Sequence, residues 1–172
     1  MKQLEAYDFD KTLIPYDSFR RYSLMLLRLR PIRIGALLLL RKMRILSATE
    51  LKERVTRIVT NSVALTRESR HFAQQLIYDV QMPERTTKGG EVLIISASPQ
   101  VYMRYVAELL QCELLCSDLR NGQYIEMYGI TKADYLHRLY PQTDYRYVYA
   151  ASDSESDLCW MKEFETYEII EK

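Results

Sequence analysis

The sequence predicts a three-layer α/β/α fold, a mostly parallel β-sheet between two layers of helices, with an all-helical insertion near its start. Short apolar runs recur along the chain and end in polar residues, helical patterns separate these runs, and one long stretch between the first two is helical throughout. Strands that alternate with helices are typical of a parallel sheet, whose ligand sites lie at the carboxyl ends of the strands.

The predicted strands are apolar or β-branched runs at residues 4–7, 92–95, 114–115, 145–150 and 167–170. A helix is predicted over residues 100–110, because Val101, Tyr105 and Leu109 follow one another at a spacing of four and Pro99 suits a first turn. The first, second and fourth runs are each followed by hydroxyl or carboxylate side chains, which places the chemistry at strand ends.

The insertion contains four helical patterns. The second begins at Pro31 and is expected to turn Ile34, Leu37, Leu38 and Met43 or its neighbours inward, and a capping box at residues 47–50 begins the third. The glycine-containing segment 86–90 is interpreted as a hinge that returns the chain to the sheet. These boundaries predict two parts, which are a catalytic core of residues 1–14 and 88–172 and a helical cap of residues 15–87.

Composition places the chain among ordinary folded proteins. Its 172 residues are 48% hydrophobic and 27% charged, which suits one compact domain with an insertion and excludes a disordered or collagen-like chain. The three cysteines, Cys112, Cys116 and Cys159, have neither metal-ligand spacing nor a C-x-x-C pair, so reduced thiols are expected and zinc is not. The acidic, weakly apolar N-terminus does not resemble a signal peptide, and the expected location is the cytoplasm.

The positive charge is concentrated in the insertion, where arginines and leucines alternate. The longest uncharged run there, residues 34–40, is far shorter than the roughly 20 residues of a transmembrane helix. Two interpretations remain, a helix pair whose arginines lie in water, and a surface that meets anionic lipid with the leucines dipping in, peripheral to the inner membrane. Nucleic acid is not an expected partner, because the tyrosine-rich strand near Arg146 lies apart from the basic segment.

Two carboxylates, Asp8 and Asp10, follow the first predicted strand. An ionised carboxylate can act as a nucleophile on a phosphate only if a cation offsets their mutual repulsion, and Asp8, Asp153 and Asp157 supply oxygen ligands suited to magnesium. Asp10 lies on the same side of an extended chain as Asp8, so like charge should raise the pKa of Asp10 and favour a role as a general acid and base.

Other polar residues complete this pattern in a fixed order: the motif Asp8-x-Asp10-x-Thr12, then Ser96 after the second strand, then Lys132, then the acidic loop with Asp153 and Asp157. From Tyr7 to Asp157 the chain therefore resembles the haloacid dehalogenase-like hydrolase superfamily, and its helical insertion resembles the phosphoserine-phosphatase-like branch.

The resemblance implies a Rossmann-like core and assigns a role to each of these residues. Asp8 would be the nucleophile that forms an aspartyl-phosphate and Asp10 the acid and base. Ser96, Lys132 and Thr12 would hold the phosphate. The magnesium ligands would be Asp8, Asp10 through its carbonyl, Asp153 and, in support, Asp157. The expected activity is magnesium-dependent hydrolysis of a small phosphorylated substrate.

The sequence departs from that branch at three positions, and two of these departures bear on which substrate is expected. Ser152 stands where the branch usually has glycine. Phosphoserine phosphatases resemble D-x-D-S-T followed closely by a glutamate that reads the amino group of the substrate, whereas this chain has Lys11 in place of that serine and Asp17 at the position comparable to that glutamate. Phosphoserine is therefore disfavoured, and Asp17 is expected to cap the first helix of the insertion instead of contacting substrate. The alternatives are a lipid phosphatase of the phosphatidylglycerophosphate type at a membrane surface, a phosphotransferase, and a catalytically weak module of the same fold that only binds.

Overall fold

A computed structural model of the chain describes residues 1–83 and 89–170, and its centre is one six-stranded sheet. The strands are β1 (Lys2–Tyr7), β2 (Glu91–Pro99), β3 (Glu113–Arg120), β4 (Gln123–Ile125), β5 (Tyr145–Ser152) and β6 (Thr166–Ile169). Their order across the sheet is β4-β3-β2-β1-β5-β6, and every neighbouring pair is parallel except β3 with β4. The predicted mostly parallel sheet is confirmed.

Four helices lie between β1 and β2. These are α1 (Ser18–Leu29), α2 (Pro31–Lys42), α3 (Ala48–Thr60) and α4 (Val63–Ile77). The later helices are α5 (Gln100–Leu110), α6 (Ile130–Leu139) and the short α7 (Leu158–Met161), with a 3-10 turn at Glu155–Asp157 before α7. Residues 86–88 of the predicted hinge, and with them the predicted boundary between residues 87 and 88, fall outside the described residues, so the division into core and cap stays a prediction.

The two faces of the sheet carry separate cores because side chains alternate along each strand. Leu93 and Ile95 of β2 pack with α6 and α7 around Leu136 and Trp160. Ile94, between them in sequence, packs on the other side with α5 and the insertion. The molecule therefore has the three predicted layers, with the insertion added to the α5 side.

An aromatic cluster joins the insertion to the core. Tyr22 of α1, Phe72 of α4 and Tyr102 of α5 are buried, with ring centroids 4.6 to 5.3 Å apart. The hydroxyl groups are satisfied as well, since Tyr22 Oη lies 2.6 Å from Ser69 Oγ and Tyr102 Oη lies 2.9 Å from Ser18 Oγ. The insertion and the α5 face of the sheet thus share one continuous hydrophobic core.

Two local features differ from the sequence interpretation. Met43 was expected to face inward, but α2 ends at Lys42 and the Met43 side chain is 60% exposed. The β3–β4 hairpin was not predicted, although Asn121 and Gly122 form its turn with φ values of 50° and 81°, the backbone for which an Asn-Gly pair is the strongest short signal. The capping box on Ser47 and Glu50 is present as expected.

Within the described residues no helix combines the length and the apolar character required to cross a bilayer.

Candidate active site

The carboxyl ends of β1, β2 and β5 meet at one edge of the sheet. Tyr7, the last residue of β1, lies opposite Ile94 of β2 and Ala151 of β5, and the Asp8 backbone N–H donates to the Ala151 carbonyl at 2.9 Å. Asp8 and Asp10 therefore lie beside the end of β2, where Ser96 is found, and beside the loop that follows β5. The topology brings together the segments that the motif order predicted.

Lys132 connects three of these segments through its side chain. Its Nζ donates to Asp8 Oδ1 and to Asp157 Oδ2, each at 2.7 Å, and the side chain is only 3% exposed. The third residue of α6 can reach the site because Gly129 precedes the helix with φ 53° and ψ −128°, a conformation that only glycine adopts without strain. The Trp160 ring lies 5.8 Å from the ammonium group.

Asp157 is held by two partners. Its Oδ2 accepts from Lys132 and also from Ser152 Oγ at 2.7 Å, and all three side chains are buried. Ser152 Oγ in turn accepts from the Ser154 backbone N–H at 3.2 Å. The serine at the position where glycine was expected thus gives the acidic loop two additional hydrogen bonds.

Asp10 has two hydrogen-bonded oxygens. Oδ1 accepts from the Ser18 backbone N–H at 2.6 Å and Oδ2 from Ser98 Oγ at 2.5 Å. Burial is the largest cause that raises the pKa of Asp10, partly offset by these hydrogen bonds, while the charge of Asp17 adds a smaller rise. The direction agrees with the sequence interpretation, but the main cause is loss of solvation and not the neighbouring Asp8.

The charge balance around Lys132 is negative, with two carboxylates on one ammonium group. Burial raises the pKa of Asp8 to about 7, with the Lys132 charge opposing the rise and the Asp157 charge adding to it. The pKa of Lys132 is also raised, since the attraction of Asp8 and Asp157 outweighs the effect of burial. Lys132 is therefore charged at neutral pH, and the negative charge of Asp157 is one of the causes that raise the pKa of Asp8.

This balance predicts how stability depends on pH without metal. A carboxyl whose pKa is raised by folding binds its proton more tightly in the native state, so the free energy of unfolding falls as pH rises from about 4 to about 7 and then levels. We expect Asp8→Asn to be more stable than the native sequence by about 2–4 kcal/mol at pH 8 and nearly equal near pH 4. Urea unfolding of both proteins in chelator, from pH 4 to 8, measures the difference. If the free energy of unfolding of the two proteins differed by the same amount at every pH, the pKa of Asp8 would not be raised by folding.

The remaining predicted residues lie behind or beside this centre. Thr12 Oγ accepts from the Asp153 backbone N–H at 3.0 Å and so ties the loop after β1 to the loop after β5. Ser96 is buried and its Oγ accepts from the Ser98 backbone N–H at 3.1 Å. Neither side chain lines the open cleft described next, and their assignment as phosphate ligands stays a prediction.

A cleft of about 420 Å³ lies over the centre. Its floor includes Asp8, Asp10, Lys132, Asp153 and Asp157, and its walls come from the insertion and from the loop before α6. The wall residues include Phe19, Arg41, Leu51, Lys52 and Tyr128. The cleft therefore offers a charged floor and walls of mixed apolar and cationic character.

Two residues of the site were missed from sequence. Lys52 of α3 donates to the Ala97 carbonyl at 3.0 Å and to Glu126 at 2.8 Å, and so connects the insertion to the last part of β2 and to the segment after β4. Ser98 donates to Asp10, as described above. Both act through contacts between distant parts of the chain, for which the sequence carries no local signal; the nearest hint was the polar run Ser96-Ala97-Ser98 after an apolar strand.

Removal of the Ser98 hydroxyl tests whether Asp10 needs this hydrogen bond. In Ser98→Ala we expect kcat to fall about 10- to 100-fold with a smaller change in KM, because a mispositioned acid and base slows proton transfer more than binding. Steady-state hydrolysis of an aryl phosphate provides both constants, and Ser117→Ala, another buried serine at a strand of the sheet, is the control. Equal losses in the two variants would indicate a general packing effect.

The acidic floor suits a divalent cation. Asp8 uses Oδ1 to bind Lys132, which leaves its second oxygen for a cation, and Asp153 lines the cleft. Asp157 and Asp10 already accept hydrogen bonds through their carboxylates. Among the described residues, no three His, Cys, Asp or Glu side chains are placed to hold a metal ion by themselves. Magnesium fits such an incomplete set, since it commonly binds one or two carboxylates and completes its shell with water and substrate phosphate.

The chain is similar to known hydrolases in sequence pattern and fold. A family model described as haloacid dehalogenase-like hydrolase matches residues 6–162. No curated protein shows significant similarity. Among solved structures, a protein of unknown function from Bordetella pertussis Tohama I has a TM-score of 0.62 at 16% identity, and the alignment covers 99% of this chain and all of that one.

Two further structures share the fold over part of their length. A probable phosphoserine phosphatase from Vibrio cholerae has a TM-score of 0.62 at 17% identity, and the match covers 96% of this chain and 55% of that chain. An HAD family hydrolase from Salmonella enterica serovar Typhi has a TM-score of 0.50 at 16% identity, covering 94% of this chain and 60% of that one. At such identities the likeness concerns the fold alone.

Proposed function

The chain belongs to the haloacid dehalogenase-like hydrolase family, and we propose that within it the chain is a magnesium-dependent phosphatase that acts on a small phosphomonoester. The observation that carries this proposal is the buried centre in which Lys132 Nζ lies 2.7 Å from both Asp8 and Asp157, with Asp10 beside it at the end of β1. Phosphoryl transfer requires a nucleophile, a counter-charge and a proton donor, and in this proposal Asp8, Lys132 and Asp10 take these roles.

In the first half-reaction, an oxygen of Asp8 attacks phosphorus and the bond to the leaving alkoxide breaks. The proton for that alkoxide comes from Asp10, whose pKa is raised by burial and which Ser98 and the Ser18 N–H hold in place. Lys132 offsets the charge of the phosphoryl oxygens during transfer. The product is an aspartyl-phosphate on Asp8.

In the second half-reaction, Asp10 accepts a proton from water, and that water attacks phosphorus to release phosphate and restore Asp8. Asp157 acts as a positioning residue, because it accepts from Lys132 and is itself fixed by Ser152. Asp8, the Asp10 carbonyl and Asp153 would hold magnesium. The bound cation would neutralise phosphate oxygens and keep the Asp8 carboxylate ionised.

The cleft walls support a substrate other than phosphoserine. Asp17, at the position of the glutamate that reads an amino group in phosphoserine phosphatases, lines the cleft, but its Oδ1 caps α1 by accepting from the Arg20 N–H at 2.9 Å. Arg41 and Lys52 add positive charge to the walls, while Phe19, Leu51 and Tyr128 add apolar surface. These residues favour a substrate whose leaving group is apolar or anionic over one that carries an ammonium group.

Turnover of a generic aryl phosphate tests the proposal. We expect hydrolysis with magnesium, its loss on addition of chelator, its return on addition of excess magnesium, and acid-stable trapping of label on the protein from a radiolabelled phosphoryl donor. A labelled protein that does not release phosphate to water but passes it to an alcohol would indicate the phosphotransferase alternative. Substrate binding without turnover under any divalent cation would indicate the binding-module alternative.

The proposed location stays the cytoplasm. The expectation that the insertion meets an anionic membrane is likewise a proposal, and its physical basis lies in the outer face of α2.

A further inference from the structure

The outer face of α2 carries an apolar stripe that no part of the described chain covers. Ile32, Ala36, Leu39 and Met43 follow one another at the spacing i, i+4, i+7 and i+11, which places them on one side of the helix axis. Ile32 is 87% exposed, Leu39 57% and Met43 60%. The opposite side of the helix, with Ile34 and Leu37, is buried in the insertion. The stripe therefore does not contribute to the hydrophobic core.

The charge around the stripe has one sign. Residues 18–46 contain no aspartate or glutamate and have eight cationic residues, namely Arg20, Arg21, Arg28, Arg30, Arg33, Arg41, Lys42 and Arg44. Arg21 pairs with Asp79, and none of the other seven forms an ion pair with a described residue. Arg33 and Lys42 lie on either flank of the stripe. Surface cations are ordinarily interspersed with acids, so this segment is unusual in having eight cations and no acid.

We propose that the outer face of α2 docks on an anionic lipid bilayer, with the stripe Ile32, Ala36, Leu39 and Met43 in the acyl boundary and Arg33 and Lys42 at the headgroups. A helix with an apolar face and cationic flanks binds at such an interface through burial of its apolar side chains and through attraction of its cations to anionic headgroups. The exposed Leu29 and Arg30 at the α1–α2 junction extend the same surface.

Charge complementarity favours lipid over a second copy of the chain. A twofold contact through the stripe would bring the cations of two identical segments face to face, and like charges across an interface cost free energy. An anionic membrane surface offers the opposite charge along the whole segment. The docking does not depend on phosphatase activity.

The stripe and the cleft use different sides of α2. Arg41 lines the cleft, and it lies about 200° around the helix from Leu39, close to the opposite side. A bilayer on the stripe would therefore not enter the cleft. We expect turnover of a soluble ester to be unchanged when anionic vesicles are added.

Vesicle co-sedimentation of the full chain tests the docking. The Asp8→Asn protein is used as well as the native sequence, so that loss of binding is distinguished from loss of activity. With vesicles of phosphatidylcholine containing about 30% phosphatidylglycerol at about 50 mM salt, we expect binding that weakens strongly by about 0.5 M salt. The protein should bind vesicles of phosphatidylcholine alone at least tenfold more weakly, because the attraction of about two cationic side chains to anionic headgroups is then lost.

Matched variants separate the stripe from general surface effects. Leu39→Ser should weaken binding about tenfold and Lys42→Gln about fivefold. Leu139→Ser and Lys162→Gln, which make the same changes at exposed positions on the other side of the sheet, should leave binding unchanged. No sedimentation with anionic vesicles at low salt would overturn the proposal, and so would equal effects of Leu39→Ser and Leu139→Ser. A lipid-free dimer in sedimentation velocity that Leu39→Ser dissociates would also overturn it, by assigning the stripe to a protein contact.

Discussion

Asp8→Asn is expected to lower kcat for phosphomonoester hydrolysis by at least about 10⁴-fold while the protein remains folded. The amide cannot form the acyl-phosphate bond, and the loss of charge also removes one of the two carboxylates that Lys132 binds. Steady-state turnover of an aryl phosphate with magnesium measures the effect, and circular dichroism verifies the fold.

Asp134→Asn serves as the control for this substitution. Asp134 is an exposed residue of α6, two positions after Lys132, and the same chemical change there should leave kcat within about twofold. Residual turnover in Asp8→Asn above about 1% of the native value would count against Asp8 as the nucleophile, because a positioning role tolerates a larger remainder.

Lys132→Met is expected to affect stability as strongly as activity. The change removes the ammonium group and leaves Asp8 and Asp157 buried beside each other without a counter-charge. Breaking a buried pair from one side typically costs about 3–5 kcal/mol, and we expect that loss in the free energy of unfolding at pH 8 in chelator. Turnover should fall at least about 10³-fold, since the phosphoryl oxygens lose their counter-charge.

A double variant makes this prediction specific. Asp8→Asn in the Lys132→Met background removes one of the two unpaired carboxylates, so it should restore part of the lost stability without restoring turnover. Lys162→Met, an exposed lysine after α7, controls for loss of an ammonium group. If urea unfolding shows that Lys132→Met is as stable as the native protein at pH 8, the buried ion cluster described for Lys132 does not exist in solution.

Sequence alone was sufficient for the features that depend on short-range pattern. The helix predicted over residues 100–110 has those bounds in the structure, and the strand ends that carry Asp8, Ser96 and Asp153 were found because apolar runs stop abruptly at polar residues. The order of these ends along the chain, together with the rule that parallel strands present their carboxyl ends on one edge, was enough to predict that they meet.

Features that depend on long-range contacts could not be predicted. The bond from Ser98 to Asp10 joins residues 88 positions apart, and the bond from Lys52 to Ala97 joins residues 45 positions apart. No spacing rule relates such residues. Ser98 reaches Asp10 because β1 and β2 are neighbours in the sheet, and Lys52 reaches Ala97 because α3 lies near the end of β2. Met43 was misplaced for a different reason: at about 100° per residue it lies nearly opposite Ile34, so the helical period itself places Met43 on the outer face of α2.

The aromatic cluster of Tyr22, Phe72 and Tyr102 makes the insertion and the sheet depend on each other for stability. These rings bridge the insertion and α5 inside one continuous core. Separating the insertion from the sheet would therefore expose Tyr22 and Phe72 on the insertion, and it would also remove the two rings that cover Tyr102 on α5. We infer that the described part of the chain unfolds as a single cooperative unit and that transplanting the insertion onto another scaffold requires the matching α5 surface.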